Sequence, residues 1–507
     1  MGKKKSVVLM VLITIILVVL CGLVAFPAIP LDNEGVDSYN PIVNQYDWSM
    51  DLDGGVYTYY YPQGVKPADK YQQELNGKTG DDKTKFENEY TQYVTADGVK
   101  TSLYLSNDEK YGIYDDNGNV SATFTENFNA VAAEMAYRYE KKGYADYKLS
   151  VVDDYCMRVE LPRSASDAIL TMRLFVQTGK VTLKKGEELL KELKEDGAKL
   201  ADFIQSITVG SKYNYVYLSI RPNAAGKAMI DGVKGELSTS DSASGENAVS
   251  LTMQIGDDTS TAVAIYQDYI MHDGEIRMMF NDDAQRSMLE TYAILYNSLI
   301  FNDGFDVEFS TLQPVDERYF GPIFGKNVVA LLYIALGVIL LAVLALPIIF
   351  MGGYGVVSAF NTLLYTGVAG ICFKYILGGV VLELSLGGVL VFILGLALMQ
   401  VLQYHIYNAI KDEAALGKTV DASVKGGYKK TLANVIDTYV VLLLASIALF
   451  LGFGGFNALA VQAIVCVVVA AFANLLFGRL VNYALLSAAK DKNKFYKIVR
   501  EDDEDDE

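Results

Sequence analysis

The chain has 507 residues, 51% of them hydrophobic, and a formal net charge of −18 at neutral pH. So acidic a balance argues against a nucleic-acid surface, and apolar weight gathered at the two ends argues against a uniformly soluble protein. The only histidines are His272 and His405, and no CxxC or HExxH spacing occurs, so neither a metal centre nor a cofactor is expected.

After Lys3, Lys4 and Lys5, the uncharged run Val7 to Ile29 is long enough to cross a hydrocarbon core of roughly 30 Å. It reads as a membrane anchor. A signal peptide would have an apolar core of only ~7–15 residues and a small-residue cleavage site, which this run lacks. Cys21 follows Leu20 rather than a small residue, and Met1-Gly2 with Ser6 meets the myristoylation pattern only formally.

From residue 30 to Gly325 the chain is polar and strand-prone, with Gly, Asn and Asp between β-branched and aromatic stretches such as Val56 to Tyr61 and Tyr215 to Ile220. A folded domain of roughly 300 residues is expected here. Two helices stand out, Glu126 to Lys142 and Asp283 to Ile300. The second places Met288, Tyr292, Leu295, Tyr296 and Leu299 on one face, behind a capping-box-like Asp282 and Gln285. The polar segments Gln63 to Glu89 and Ser238 to Ser250 read as linkers or mobile loops, which suggests two lobes, a base and an inserted head. Cys156 is the one cysteine in this polar region, so no internal disulfide is available to it.

Beyond Lys326 five apolar stretches follow: Asn327 to Met351, Val356 to Leu377, Leu384 to Ile410, Thr431 to Leu451 and Asn457 to Leu480. With the first run they make about six spans over residues 1–29 and 326–485. The Lys-rich N-terminus, a loop at 411–430 with Lys411, Lys418, Lys425, Lys429 and Lys430, and the C-terminal segment 486–507 then share one side, as positive-inside bias requires. The large domain lies on the other. The last seven residues, Glu501 to Glu507, are all acidic and read as a solvated cytoplasmic tail. The expected fold is thus a polytopic α-helical membrane protein with a large α+β extracytoplasmic domain between its first and second helices.

Several segments in this order resemble the SecD family of protein-export subunits. Asp51-Leu52-Asp53-Gly54-Gly55-Val56 matches the family's D-L-x-G-G-V, which opens the first outer strand. Asp153-Asp154-Tyr155-Cys156-Met157-Arg158-Val159-Glu160-Leu161-Pro162 is similar to its G-D-D-R-I-V-V-Q-L-P, and Gly321-Pro322-Ile323-Phe324-Gly325-Lys326 to the G-P-x-L-G-K/R that precedes the second helix. Gly417-Lys418-Thr419, Gly427-Tyr428-Lys429-Lys430 and Ile436-Asp437 resemble E-G-K-S, G-F-K-R and L-D-A-N, and Arg479 matches an arginine near the end of the last helix. The likeness is loose over about residues 180–275. It implies an RND-like half-bundle in a bacterial plasma membrane with both termini cytoplasmic. It also implies a non-enzymatic role in ion-gradient-dependent export. The implied partners are a SecF-like subunit, the SecYEG channel, the SecA motor indirectly, unfolded exported polypeptide and membrane lipid, with no nucleic acid.

One departure stands out. The family's fourth helix carries an aspartate linked to proton use, and that position falls on Met399 or Val401 according to register, with no acid from Leu384 to Ile410. Gln400, Gln403 and His405 remain nearby, and of these only His405 takes up a proton near neutral pH. Asp437 lies seven residues after Lys430, roughly 10 Å into its helix at 1.5 Å per residue, at a depth similar to Arg479. The two are candidates for an ion pair, structural or coupling, since an ionisable group at such depth needs a partner or a function. Asp437, Arg479, His405 and Gln403 are therefore the coupling candidates. Asp51, Asp53, Gly54, Gly55, Gly321, Pro322 and Gly325 are the structural motif, in which the glycines permit a tight turn where a Cβ would clash. Gly417-Lys418-Thr419 lacks the first P-loop glycine, Asp412 standing there. No nucleophile and base set appears. The outer tyrosines either pack sheets or contact unfolded chain. Two other readings remain: an RND-type exporter of lipid or small molecules, and a non-transporting scaffold.

Overall fold

The computed structural model describes residues 3–25, 29–30, 38–144, 146–163, 167–177, 181–192, 199–212, 215–242, 248–255, 259–272, 274–280, 285–302, 309–310, 317–375, 383–452 and 457–497. The chain divides into two compact units, one of residues 1–54 and 321–507 and the other of residues 55–320. The acidic tail 501–507 and the Asp282 cap lie outside the described residues, as do residues 243–247 of the second segment read as a loop.

Helix α1 runs from Lys3 to Ala25 and stops short of the expected Ile29, which instead pairs with Tyr39 in a two-residue bridge. The second unit then begins with β1 (Gly55–Pro62), β2 (Val65–Pro67), α2 (Ala68–Asn76), α3 (Asp81–Glu89), β3 (Tyr90–Val94) and β4 (Lys100–Ser106). Next come α4 (Ala122–Lys142), β5 (Lys148–Val152), β6 (Cys156–Pro162), α5 (Ala168–Phe175), β7 (Val181–Lys185) and β8 (Glu188–Glu192). It continues through β9 (Ile204–Lys212), β10 (Tyr215–Pro222), α6 (Ala224–Val233), β11 (Leu251–Ile255), β12 (Val263–Ile265) and β13 (Ile276–Phe280). It closes with α7 (Arg286–Asn302), β14 (Phe309–Ser310) and β15 (Arg318–Phe320). All pairings are antiparallel, in sheets ordered β14-β1-β6-β5 (β15 also pairs β1), β2-β4-β3, β8-β7-β11-β12 and β9-β10-β13.

Alternation along β1 and β6 sorts side chains onto two faces. Val56, Tyr60, Met157, Val159 and Leu161 meet Phe128, Met135 and Tyr139 of α4 and Met172 and Phe175 of α5 in one core. Tyr57 and Tyr59 occupy the other face half-buried, with the Arg158 guanidinium 4.5 Å from the Tyr57 ring centroid. Leu183, Ile207, Leu218, Ile220, Met253, Ile255 and Ile276 form a second core against Leu295, Tyr296 and Leu299 of α7. Arg138, fully buried, links the two. Its Nε donates to Ser298 Oγ (2.9 Å) on α7 and its Nη1 to the carbonyls of Phe175 (2.7 Å) and Gln177 (3.0 Å).

The segment Gln63 to Glu89 is not a linker. It forms β2, α2 and α3, because Tyr71 and Leu75 share one face of α2 and gather with Phe86 of α3, Tyr90 and Tyr104 into an apolar cluster of their own. Tyr71 stacks on Tyr104 at 3.9 Å between centroids, and Lys66 Nζ lies 5.0 Å from the Phe86 centroid. The Asp residues that suggested a loop are exposed, whereas Lys66 and Lys78 lie half-buried over the Phe86 ring. Four further outer helices, α2, α3, α5 and α6, thus join the two expected, and α4 starts at Ala122, four residues before its predicted start.

The first unit is completed by α8 (Val328–Met351), α9 (Gly353–Tyr375), α10 (Leu386–Ala415), α11 (Val420–Gly452), α12 (Asn457–Phe472), a π-helical turn at Ala473–Phe477, α13 (Gly478–Ala488) and α14 (Lys492–Tyr496). With α1, six helices among the described residues are long and apolar enough to cross a membrane, the last running through 458–488. The expected loop at 411–430 is mostly helix: α10 continues through Ala415 and α11 starts at Val420. The turn is only Leu416–Thr419, with Gly417 at φ +77°. Polar, Lys-rich composition marks where helices leave the hydrocarbon, not where they end.

Lys142 Nζ lies 2.8 Å from Asp167 Oδ2, both side chains largely buried, and also donates to Ser287 Oγ (2.8 Å) at the start of α7. Burial pushes the Asp167 carboxyl up, but the Lys142 ammonium, with bonds from Ser287 and Tyr144, outweighs it and holds the group below the usual carboxylate range. A depressed folded-state value means this stabilisation is complete above the unfolded value near ~3.9 and is lost as pH falls through the folded one. Lys142→Met leaves a buried carboxylate unpaired. We expect it to destabilise the unit by about 3–5 kcal/mol and to move the onset of acid unfolding, followed by tyrosine fluorescence of the full chain, to higher pH.

Candidate functional site

Two arrangements in the first unit place the residues singled out in the sequence. The first centres on Asp51. Met50–Asp53 is one helical turn, ended by Gly54 at φ +76°, a conformation a side-chain-bearing residue adopts only under strain. In the second unit a Cβ on Gly55 would come within 2.3 Å of the Leu161 carbonyl oxygen and 2.8 Å of the Phe320 ring. The pair of glycines therefore has two separate causes.

Asp51 itself joins three stretches of chain. Its Oδ2 accepts from the Leu386 N–H (3.0 Å) in the first turn of α10, its Oδ1 accepts from Ser49 Oγ (2.8 Å), and its carbonyl accepts from the Ile323 N–H (3.2 Å). A carboxylate at a helix N-terminus satisfies an otherwise orphaned donor and complements the positive end of the dipole. Around it the backbone pairs with the segment before α10: Leu384 N–H donates to the Asp47 carbonyl (2.7 Å) and Ser49 N–H to the Leu384 carbonyl (3.3 Å). Lys374 at the end of α9 lies 2.8 Å from Asp47 Oδ2, and Trp48 packs edge-on against Tyr333 of α8 at 5.8 Å. Gly321, Pro322 and Gly325 form the turn into α8. Gly325, at φ +91°, donates to the Pro322 carbonyl (3.1 Å). Asp53 is half-buried, and its carboxyl makes no hydrogen bond among the described residues.

The second arrangement is a layer of neutral polar side chains inside the bundle. Ser358 Oγ donates to Gln400 Oε1 (2.5 Å), Gln400 Nε2 to Thr362 Oγ1 (2.8 Å), and Thr362 Oγ1 to the Ser358 carbonyl (3.0 Å), closing a ring between α9 and α10. One turn on, Gln403 Nε2 donates to Asn474 Oδ1 (2.8 Å). Asn474 Nδ2 donates to Tyr439 Oη (2.7 Å) of α11 and the Met399 carbonyl (3.2 Å). Asn474 lies in the π-helical turn, whose extra residue turns the amide inward. Gln403 Oε1 is buried without a hydrogen-bond partner.

The other candidates are not brought together. His405 is exposed on the side of α10 away from Gln403, and Asp437 and Arg479 are both exposed and form no ion pair. The Arg479 guanidinium instead lies 5.9 Å from the Tyr428 centroid and 5.8 Å from that of Tyr483. Equal depth left the angle around each helix axis open, and the packing turns these residues outward. Sequence reasoning missed Asn474, Tyr439, Ser358 and Thr362, which look like ordinary polar breaks in apolar runs.

No family model matches the chain. Over 183 residues, 36% of the chain, it is 26% identical to the protein translocase subunit SecD of Acidaminococcus fermentans. Over 144 residues, 28% of the chain, it is 33% identical to SecD of Aquifex aeolicus. The chain is SecD/SecF-like. These matches span 43% and 27% of the relatives' own lengths. A solved SecDF in a super-membrane-facing form shares the fold at TM-score 0.51 and 16% identity, covering 95% of this chain and 58% of that one. In this SecD-like bundle Met399 is fully buried and Val401 is 63% exposed, so the two registers for the family's fourth-helix acid point to opposite sides of α10.

Asn474→Ala strands the Gln403 amide in the bundle and should lower stability by about 1–3 kcal/mol, seen as a reduced melting temperature of the full chain in detergent. Asn474→Asp keeps the acceptor for Gln403 but loses both Nδ2 donor bonds and buries an acid in the bundle, so it should lose at least as much. Asp51→Ala removes the acceptor of the Leu386 N–H while the Ser385 N-cap stays in place, at about 1 kcal/mol, and Asp51→Asn should recover most of it.

Proposed function

We propose that this chain is an accessory subunit of the Sec protein translocase, working in a bacterial plasma membrane with a SecF-like subunit beside the SecYEG channel. It acts after the SecA motor has delivered polypeptide. The likeness to SecD proteins supports this reading. The observation that carries it is the Asp51 junction, where the family-like motifs D-L-D-G-G-V and G-P-I-F-G-K meet by the hydrogen bond from Ile323 to Asp51.

Both chain crossings into residues 55–320, at Gly54 and at Gly321, thus lead to the capped end of α10. On this reading the outer domain faces away from the cytoplasm, both termini face it, and a change in outer posture pulls on α10. Directional work needs two postures that hold emerging polypeptide differently and an ion gradient that biases them. The α10 layer offers neutral amides and hydroxyls rather than a carboxylate, so the biasing ion is handled by the partner. The chain does no covalent chemistry in this scheme and requires no cofactor.

The test is depletion of the protein in cells secreting a slowly folding reporter, with gentle purification of the tagged chain alongside. Expected results are partly translocated, protease-accessible reporter at the membrane and recovery of SecF-like and SecY-like subunits. Normal export with a fall in lipid or small-molecule efflux would replace this reading with an RND-type exporter. Normal export and efflux would leave a scaffold.

A further inference from the structure

After α13 the chain turns back onto the bundle. The five-residue helix α14 is too short to hold by itself in water, yet Tyr496 at its end is fully buried. The Tyr496 O–H donates to Asn482 Oδ1 of α13, and the Tyr496 carbonyl accepts from Tyr407 Oη of α10 (3.3 Å). Tyr407 stacks on Tyr354 of α9 at 5.8 Å between centroids, and Tyr354 Oη lies 3.5 Å from Tyr428 Oη of α11. These four tyrosines are all buried. Beside them Phe495 comes so near the joint between α8 and α9 that a Cβ on Gly353 would overlap its ring. The tyrosine level lies between the polar layer and the helix ends at the α10–α11 turn. Tyr354 precedes Ser358 by four residues and Tyr407 follows Gln403 by four, which puts it about one turn, roughly 6 Å, beyond the layer. In that layer Gln403 Oε1 and Asn361 Oδ1 are buried without a hydrogen-bond partner, each at a cost of about 1–3 kcal/mol. The outer fastenings of the segment are weak by contrast. Lys492 Nζ lies 2.6 Å from Asp421 Oδ2, both exposed, and the exposed Lys497 donates to the Ile349 carbonyl near the end of α8.

We propose that residues 491–497 are a gate: seated, they seal the polar layer from the aqueous side at the α10–α11 turn, and released, they admit water to it. Water brings donors to the two orphaned amide oxygens, which offsets part of the burial lost with Tyr496 and keeps the two states close in free energy. The segment touches α8, α10, α11 and α13 at once. A shift of any one of these helices against the others therefore breaks a contact that seats it, and release follows motion of the bundle. This goes beyond the function proposed above and does not depend on it.

The test uses Met399→Cys in the full chain, in membrane vesicles of each orientation. Met399 is fully buried and its carbonyl accepts from Asn474 in the layer. A small charged thiol reagent that does not cross membranes is added outside the vesicles, and the chain without Met399→Cys is the blank for its four native cysteines. We expect slow labelling when the segment is intact. Tyr496→Ala should raise the rate about tenfold or more from the side of the α10–α11 turn alone, because deleting a buried ring shifts the balance toward the released state. Tyr496→Phe keeps the ring and should stay near the slow rate. An unchanged rate with Tyr496→Ala, a rise from the opposite side alone, or fast labelling of the intact segment would overturn the proposal. Equal rises from both sides would mean that the bundle itself has come apart. Lys492→Ala with Lys497→Ala, which removes only the exposed fastenings, then decides: a one-sided rise supports the gate and an unchanged rate overturns it.

Discussion

The bond between the Asp51 carboxylate and the first turn of α10 fixes the point at which three stretches of the membrane unit meet. One residue caps a helix, accepts from the turn into α8 and is steadied by Ser49, while Asp47 and Trp48 beside it fix the ends of α9 and α8. A carboxylate is suited to this because it accepts several hydrogen bonds and complements a helix dipole at once. A hydrophobic residue there would leave donors orphaned, and a lysine would add to the positive end.

Inside the bundle the governing constraint is the absence of water. Each amide and hydroxyl that crosses the hydrocarbon must find a partner, and Ser358, Thr362 and Gln400 do so in a closed ring. Gln403 Nε2, Asn474 and Tyr439 are joined because a π-helical turn presents Asn474 inward, while Gln403 Oε1 is left without a partner. Such a layer specifies how α9, α10, α11 and the last span register against one another. It keeps the same charge across the physiological pH range, which separates it from a layer built around an acid.

The six spans were legible because length and hydropathy fix a transmembrane helix almost alone, and the SecD-like order of motifs was legible because the motifs are local. The face of α7 was legible from spacing, and its buried Leu295, Tyr296 and Leu299 are those read from the sequence. Asp51 was visible as a motif, but its partner is 335 positions away, and no local pattern announces such a bond. Residues 63–89 misled because composition was weighed above the i, i+4 pair Tyr71 and Leu75 and the buried Phe86. Asp437 and Arg479 misled because counting residues gives depth, whereas the direction a side chain points is decided by what the rest of the helix packs against.

The separation of Asp51 from Leu386 also bears on how the protein is made. The ribosome must synthesise the whole second unit before the cap on α10 exists, and at about 5–20 residues per second that interval is roughly a quarter of a minute to just over a minute. During it α1 stands in the membrane with the Tyr46–Asp53 stretch unpaired, while the second unit emerges and can fold on its own. Assembly is therefore sequential by construction, and the bundle closes around a segment that has been waiting since the start of translation.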